Sequence, residues 1–161
     1  MMPGSAAYTC VPIKTEVAER FRRTLIDDSG NPVERSVDEA GGSPCRHCLL
    51  ECEPGQAVLL GSYNLERPRG IYWTPSPIFI HEQDCRRYSG QDELPEIVVS
   101  RFVSLRAYDR NDRIIYELGE ALEGREAKAA VAHSIQDART TYINIHTAKP
   151  GCLLCRIERL E

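Results

Sequence analysis

The length, composition and charge of this chain limit its architecture and its partners. Its 161 residues are enough for a domain with a stable hydrophobic core that needs no disulfide bonds. The apolar content of 42% and the charged content of 27% are those of an ordinary globular domain. The net charge of −4 argues against a nucleic-acid-binding protein, because such proteins contact phosphates through a basic surface.

Targeting features and cysteine usage bear on the compartment. Residues 1–10 have neither a basic head nor a continuous apolar run, and no stretch reaches the roughly 20 apolar residues of a membrane helix. We therefore expect a cytoplasmic protein without a membrane association. In that compartment the seven cysteines are expected to be reduced thiols, metal ligands or reactive groups rather than disulfides.

The predicted elements alternate between short helices and short strands. A loose N-terminal segment over 1–14 precedes a helix from Thr15 to about Ile26, in which Val17 and Phe21 share one apolar face. After an irregular loop, the pattern predicts strands at 46–52, 57–63, 78–81, 102–108, 113–118, 141–147 and 152–160, and helices at 95–99 and 123–138.

The connections between these strands indicate the fold class. Most neighbouring strands are joined by short turns, which favour antiparallel pairing. The sequence therefore predicts an α+β fold, with a largely antiparallel sheet and helices packed on one face. It also predicts that residues 15–161 form a single domain.

Several short motifs between residue 44 and the C-terminus resemble one known family. They are Pro44-Cys45-Arg46, Glu53-Pro54-Gly55 with Val58-Leu59-Leu60 and Tyr63, Pro77-Ile78-Phe79-Ile80-His81, Arg106-Ala107-Tyr108-Asp109, and Gly151-Cys152 with Arg156-Ile157-Glu158-Arg159. On these motifs the chain resembles the bacterial domain-of-unknown-function family 1203. That family has no established activity, so the resemblance implies a compact domain and no mechanism.

Two Cys-x-x-Cys pairs, Cys45–Cys48 and Cys152–Cys155, are the strongest chemical signal in the sequence. A two-residue gap lets a tight turn direct two thiolates at one ion, and four sulfurs complete a tetrahedron. The sequence thus predicts a structural zinc ion held by these four cysteines, although about a hundred residues separate the pairs. The replacement ligands are His47, Cys52, His81, Cys85 and His146.

Other interpretations of the cysteine pairs remain open. Both pairs stand in segments that predict strand, where residues three apart point to opposite faces and cannot chelate one ion. Cysteines in such segments are often small buried apolar side chains. A third interpretation is redox chemistry, in which Arg46 and His47 lower the pKa of the Cys45 thiol. A fourth is an iron–sulfur centre on Cys45, Cys48 and Cys52.

A polar sheet face is the second candidate site. Alternation places Arg106 with Tyr108 on one face of their strand, and Asn144 with His146 on one face of theirs, while His81 ends another strand. If these strands are neighbours, the five side chains share a surface that suits a small anionic ligand. The alternative is the ordinary solvated face of an antiparallel sheet.

Two functional hypotheses from different classes remain. The first is a non-enzymatic binding or interaction domain, with or without structural zinc, whose partner is a small anionic ligand or a protein. The second is a thiol-dependent enzyme. It would need a thiol within hydrogen-bonding reach of an imidazole, and the candidates are Cys45 or Cys152 with His81 or His146.

Overall fold

The computed structural model describes residues 7–160 and has two antiparallel sheets, one of five strands and one of three. The strands are β1 (Tyr8–Val11), β2 (Glu34–Asp38), β3 (Gln56–Tyr63), β4 (Ser76–His81), β5 (Phe102–Tyr108), β6 (Glu120–Glu123), β7 (Tyr142–Thr147) and β8 (Leu153–Arg159). The α-helices are α1 (Thr15–Thr24), α2 (Glu96–Val99) and α3 (Ala127–Gln136). The predicted α+β class is confirmed, although the strands divide between two sheets rather than one.

The five-stranded sheet has the order β1-β8-β7-β5-β6 and buries one face against α3. Leu105 of β5 lies opposite Ile145 of β7, and both are buried together with Ile143. Val131 and Ile135 of α3 belong to the same hydrophobic cluster. This pattern is the one that strand alternation and the helix-forming composition of residues 127–136 predict.

The three-stranded sheet has the order β2-β3-β4 and packs against α1. Phe21 of α1 is fully buried in a second hydrophobic cluster with Leu59 of β3 and Ile80 of β4. Cys45 and Cys48 belong to this cluster too. The smaller sheet therefore forms the support on which the first cysteine pair rests.

Part of the segment that the sequence assigns to a loose N-terminus is a strand. β1 pairs with β8 along its whole length, and its alternate residues Tyr8 and Cys10 are buried. Burial of these side chains in the larger core explains why the segment is ordered. Residues 1–6 of the predicted segment, and residue 161, lie outside the described residues.

Two further segments differ from the sequence-based prediction. β2 forms in a region predicted to be a loop, and its first four residues are exposed, so it lacks the alternation that reveals a strand. Residues 113–118, predicted to be a strand, contain a single bridge at Ile114 followed by a short 3₁₀ helix, Tyr116–Leu118. Within residues 7–160, no helix has the length and apolar character needed to cross a membrane.

Candidate metal centre

The segment from Cys45 to Cys48 is a tight turn and not the strand that its sequence predicts. The Leu49 amide donates a hydrogen bond to the Cys45 carbonyl oxygen at 2.9 Å, which closes the turn. Leu49 has a φ of 58°, in the left-handed region that few non-glycine residues adopt. Because the chain turns here, the objection that residues three apart face opposite ways does not apply to this pair.

Backbone pairing brings the turn alongside the end of β4. Cys45 forms a parallel bridge with Phe79, and the Arg46 amide donates to the Phe79 carbonyl oxygen at 3.0 Å. His81 is the last residue of β4, and its amide donates to the Cys45 sulfur at 3.4 Å. Cys85 follows in the irregular segment after β4. Two distant parts of the chain thus meet at one point.

Four ligand atoms converge there, from Cys45, Cys48, His81 and Cys85, and all lie within 4.8 Å of one another. The Cys45 and Cys85 sulfurs are 3.8 Å apart, and the Cys48 sulfur is 3.5 Å from Nδ1 of His81. For zinc bonds of about 2.3 Å to sulfur and 2.0–2.1 Å to nitrogen, a tetrahedron gives about 3.8 Å between sulfurs and about 3.6 Å between sulfur and nitrogen. Both observed distances match those of one tetrahedral ion.

Residues around the cluster hydrogen-bond to the ligands themselves. Nε2 of His81 lies 3.1 Å from Oε1 of Gln56, which fixes the ring with Nδ1 directed at the sulfurs. Nδ1 of His47 lies 3.1 Å from the Cys85 sulfur, and its Nε2 lies 2.8 Å from the Thr15 hydroxyl. Thr15, the first residue of α1, therefore orients the imidazole of His47.

Arg22 of α1 adds a positive charge next to the cluster. Its Nη2 donates to the Cys85 sulfur at 3.3 Å, and its Nε donates to the His81 carbonyl oxygen at 3.0 Å. Three thiolates, one neutral imidazole and a divalent ion would together carry a net charge of −1. The Arg22 guanidinium would offset part of that charge at Cys85, which is the least buried of the three cysteines.

Hydrogen bonding among the thiols changes their acidity. Bonds from Cys45 and Cys48 hold the pKa of the Cys85 thiol far below its usual range. The bond with Cys45, and then that with Cys85, raises the pKa of His81 to about 9. The hydrogen bond with Cys45 and burial raise the pKa of Cys48. The cluster thus stabilises the thiolate of Cys85, and thiolate is the form of cysteine that binds metals.

Residues 42–159 match the model of a family described as protein of unknown function, DUF1203. The chain belongs to this family. The resemblance inferred from the short motifs is thereby confirmed. No curated protein and no solved structure matches the chain.

All four converging residues fall inside the DUF1203 region, whereas Arg22, which contacts Cys85, and Thr15, which contacts His47, do not. Thr15 and Arg22 belong to α1, which precedes the matched residues. The four converging residues of this chain therefore all lie in its DUF1203 region, and the N-terminal helix adds contacts around them.

The second Cys-x-x-Cys pair does not reach the first, and the predicted four-cysteine set is not assembled. Cys155 lies in β8 opposite Ile145 and packs with Cys10 in the core of the larger sheet. Cys152 precedes β8 and is paired through its backbone with Thr147. Only Cys155 of this pair lies within the strand, and the pairing of β7 with β8 shifts register between Ile145 and His146. His81 and Cys85, first considered as replacements, take the two positions.

The two segments nevertheless touch through Arg46. Its side chain is 2% exposed, and the guanidinium donates from Nε to the Leu153 carbonyl oxygen and from Nη1 to the Pro44 carbonyl oxygen, both at 2.7 Å. Burial lowers the pKa of Arg46 to about 10. Arg46 therefore joins the turn that carries Cys45 and Cys48 to the first residue of β8.

We expect Arg46→Lys to destabilise the DUF1203 domain by about 2 kcal/mol, because one ammonium cannot span two carbonyl oxygens as a guanidinium does. Urea unfolding measures this change in the free energy of unfolding. Arg86→Lys is the matched control, since Arg86 is exposed, and it should unfold like wild type. Equal stability of the two variants would contradict a bridging role for Arg46.

The predicted polar face is only partly assembled, and it is not a surface. Arg106 lies opposite Asn144 in the pairing of β5 with β7, and His146 lies one residue pair along the same face. His81 belongs to the other sheet and does not join them. Tyr108, Asn144 and His146 are each less than 5% exposed.

Asn144 shows what covers this face. Its Nδ2 donates to the Arg67 carbonyl oxygen at 3.0 Å, so the chain after β3 lies over the strand. Oδ1 of Asn144 and Nε2 of His146 are buried without a hydrogen-bond partner among the described residues. The five side chains therefore do not share one exposed surface, and the binding of a small anion by them stays a prediction.

One of the predicted catalytic pairs, Cys45 with His81, meets in the cluster of converging ligands, where hydrogen bonding with Cys45 is the largest cause of the raised pKa of His81. His81 directs its ring nitrogen at Cys48 and contacts Cys45 through its backbone amide. Nδ1 of His146 lies 2.9 Å from the Gly151 carbonyl oxygen, and its ring has no thiol partner among the described hydrogen bonds. The additional imidazole–thiol contact that the structure reveals is between His47 and Cys85.

Proposed function

We propose that this DUF1203 chain is a zinc-binding domain whose ion is held by Cys45, Cys48, His81 and Cys85. The supporting observation is the convergence of four ligand atoms within 4.8 Å from two chain segments. Three soft thiolates with one imidazole are a donor set that favours zinc. Seven free cysteines support a reducing compartment such as the cytoplasm.

The distances support a single ion over the other interpretations of the sulfurs. At 3.8 Å, the Cys45 and Cys85 sulfurs are far beyond the roughly 2.05 Å of a disulfide bond. An iron–sulfur cluster distributes its ligands over several irons and so separates them further than one tetrahedral ion does. The predicted cluster ligand Cys52 is engaged elsewhere, where its sulfur donates to Oδ2 of Asp38 at 3.1 Å.

The proposed role of the ion is structural. Four protein ligands fill a tetrahedral zinc ion and leave no position for substrate or water. Cys45 and Cys48 come from the turn, His81 ends β4, and Cys85 lies in the segment that leads to α2. An ion held by all four would fasten the turn and this segment to the three-stranded sheet.

One observation favours a second function, that of a thiol-dependent enzyme. Thr15, His47 and Cys85 form a row in which a hydroxyl contacts an imidazole and the imidazole contacts a thiol. Cys85 also lines a cleft of about 390 Å³. A row of this kind can activate a nucleophilic cysteine. Metal analysis separates the two functions, since a zinc-bound Cys85 is not available as a nucleophile.

The test is the metal content and ligand field of the purified full chain. After incubation with zinc and desalting, elemental analysis should give about one zinc per chain. Cobalt substituted for zinc should show the sulfur-to-metal absorption and the intense visible bands of a tetrahedral thiolate site. A chain without bound metal whose Cys85 alkylates fastest would overturn the proposal in favour of the thiol enzyme.

A further inference from the structure

Cys85 is the most accessible sulfur of the centre. Cys45 and Cys48 are 1% and 6% exposed, whereas Cys85 is only partly buried. Cys85 lines the cleft of about 390 Å³ together with polar side chains that include Gln56 and Asp84. A small polar reactant entering this cleft meets the Cys85 sulfur before the other two.

Cys85 is also the sulfur best supported as a free anion. The Arg22 guanidinium donates to it at 3.3 Å, and the His47 ring nitrogen lies 3.1 Å away on another side. When the Thr15 hydroxyl donates to Nε2 of His47, Nδ1 carries the proton and donates to the sulfur. Neither donor belongs to the four ligands, so both remain if the sulfur leaves the ion.

A second thiol lies within reach of Cys85. The Cys45 sulfur is 3.8 Å away, so a disulfide between them needs a movement of about 2 Å. Cys85 stands in an irregular segment between β4 and α2, which can supply that movement. Cys45 is fixed by its backbone bonds to Leu49 and to Leu50.

We propose that Cys85 is the site at which hydrogen peroxide oxidises this centre, and that the product is a Cys45–Cys85 disulfide. In the first step, the Cys85 thiolate attacks one peroxide oxygen, the O–O bond breaks, and Cys85 becomes a sulfenic acid as hydroxide leaves. In the second, the Cys45 thiolate attacks the sulfenic sulfur and expels a second hydroxide. Two thiolates lose two electrons, and peroxide gains them.

Release of the metal is the consequence that rests on the proposed function. The disulfide removes two of four ligands and leaves only Cys48 and His81, which are too few to hold a zinc ion tightly. The disulfide itself depends only on the positions of the two thiols. The two parts of the proposal can therefore be tested separately.

The experiment treats the zinc-loaded full chain with hydrogen peroxide. Released zinc is followed with a colorimetric chelator, and cross-linked peptides are identified by mass spectrometry. We expect about one zinc released per disulfide formed, with Cys45 joined to Cys85. Cys152→Ser is the matched control, because Cys152 is also partly exposed but lies outside the centre, and it should release zinc at the wild-type rate.

The outcomes separate this inference from the proposed function. If the chain binds zinc and peroxide leaves the ion in place, or if the cross-link joins other cysteines, the inference fails while the zinc site stands. If the purified chain holds no zinc, the proposed zinc site is refuted. Peptide mapping of the oxidised chain then still shows whether Cys45 and Cys85 form a disulfide. Slower release in Cys152→Ser would place the reactive sulfur outside the centre and overturn the inference.

Discussion

Cys48→Ser is expected to abolish zinc binding and to lower the free energy of unfolding by about 4 kcal/mol, measured with zinc at about a thousandfold excess over its dissociation constant. A serine hydroxyl stays protonated at neutral pH and does not replace a thiolate on zinc. The binding free energy that zinc contributes to the folded state is therefore lost. Urea unfolding at a fixed zinc concentration, with elemental analysis of the same samples, measures both effects.

Cys52→Ser is the matched control, since Cys52 is another buried cysteine of the same segment. It is 3% exposed, and its sulfur donates to Asp38, a bond that a serine hydroxyl also makes. We expect it to retain about one zinc per chain and to change stability by at most about 1 kcal/mol. A chelator should bring wild type to the stability of Cys48→Ser and leave Cys48→Ser unchanged. Equal losses in the two variants would support the interpretation that these cysteines only fill the core.

The local features of the fold could be predicted from sequence because they depend on neighbouring residues. Alternating apolar residues predict β5 and β7 to within a residue of their observed ends. The two-residue gap likewise predicts that Cys45 and Cys48 can act on one ion. These predictions needed no knowledge of which strands are neighbours.

The remaining ligands depend on contacts between distant segments, and sequence spacing does not encode them. His81 and Cys85 reach the turn because Cys45 bridges to Phe79 in β4. The repeated Cys-x-x-Cys spacing pointed to Cys155 instead, but β8 places that residue in the core of the larger sheet. A repeated Cys-x-x-Cys motif predicts that each pair can bind a metal, but it does not predict that the two pairs lie close together in the fold.

The sequence around Cys45 predicts a strand, whereas the structure has a turn, because burial of Leu49 overrides the local preference for an extended backbone. Leu49 and Leu50 after the cysteines resemble a strand, and a β-like backbone would suit both. Leu49 instead adopts a φ of 58° and is fully buried in the cluster of the five-stranded sheet. Burying a leucine side chain gains about 2 kcal/mol, which offsets the cost of about 1–2 kcal/mol for the left-handed backbone.

The polar face illustrates the same limit. Alternation assigns Arg106 and Asn144 each to one face of its own strand, and the structure sets the two residues directly opposite each other. Whether that face is wet depends on the chain near Arg67, which covers it from another part of the sequence. Periodicity indicates which residues share a face, but it does not indicate what lies above them.

Burial of His146 on this covered face is expected to make folding sensitive to pH. Burial and the nearby Arg106 guanidinium lower the pKa of His146 from 6.5 to about 4. Its contribution to stability is therefore complete above pH 6.5 and is lost as the pH falls from 6.5 to about 4, since only the unfolded chain takes up the proton in that range. At about 1.4 kcal/mol per pKa unit, the loss is about 3 kcal/mol.

The structure gives the reason why the folded chain resists this proton. With Nδ1 protonated, His146 donates to the Gly151 carbonyl oxygen at 2.9 Å, and Nε2 is left buried without a partner among the described residues. A proton on Nε2 would bury a charge that no carboxylate compensates in these hydrogen bonds, beside the positive charges of Arg106 and Arg46. The folded chain therefore holds the His146 ring in its neutral form.

The measurement compares wild type with His146→Gln in urea between pH 7.5 and pH 4. Because carboxylates and the cysteine cluster titrate in both proteins, the difference between their unfolding free energies isolates His146. As the pH falls from 7.5 to 4, the unfolding free energy of wild type should decrease by about 3 kcal/mol relative to that of His146→Gln. The same comparison with His133→Gln, a change at an exposed histidine of α3, should stay nearly constant. A difference for His146→Gln that does not vary with pH would mean that His146 takes up its proton equally in the folded and the unfolded chain, and would contradict the lowered pKa of this buried ring.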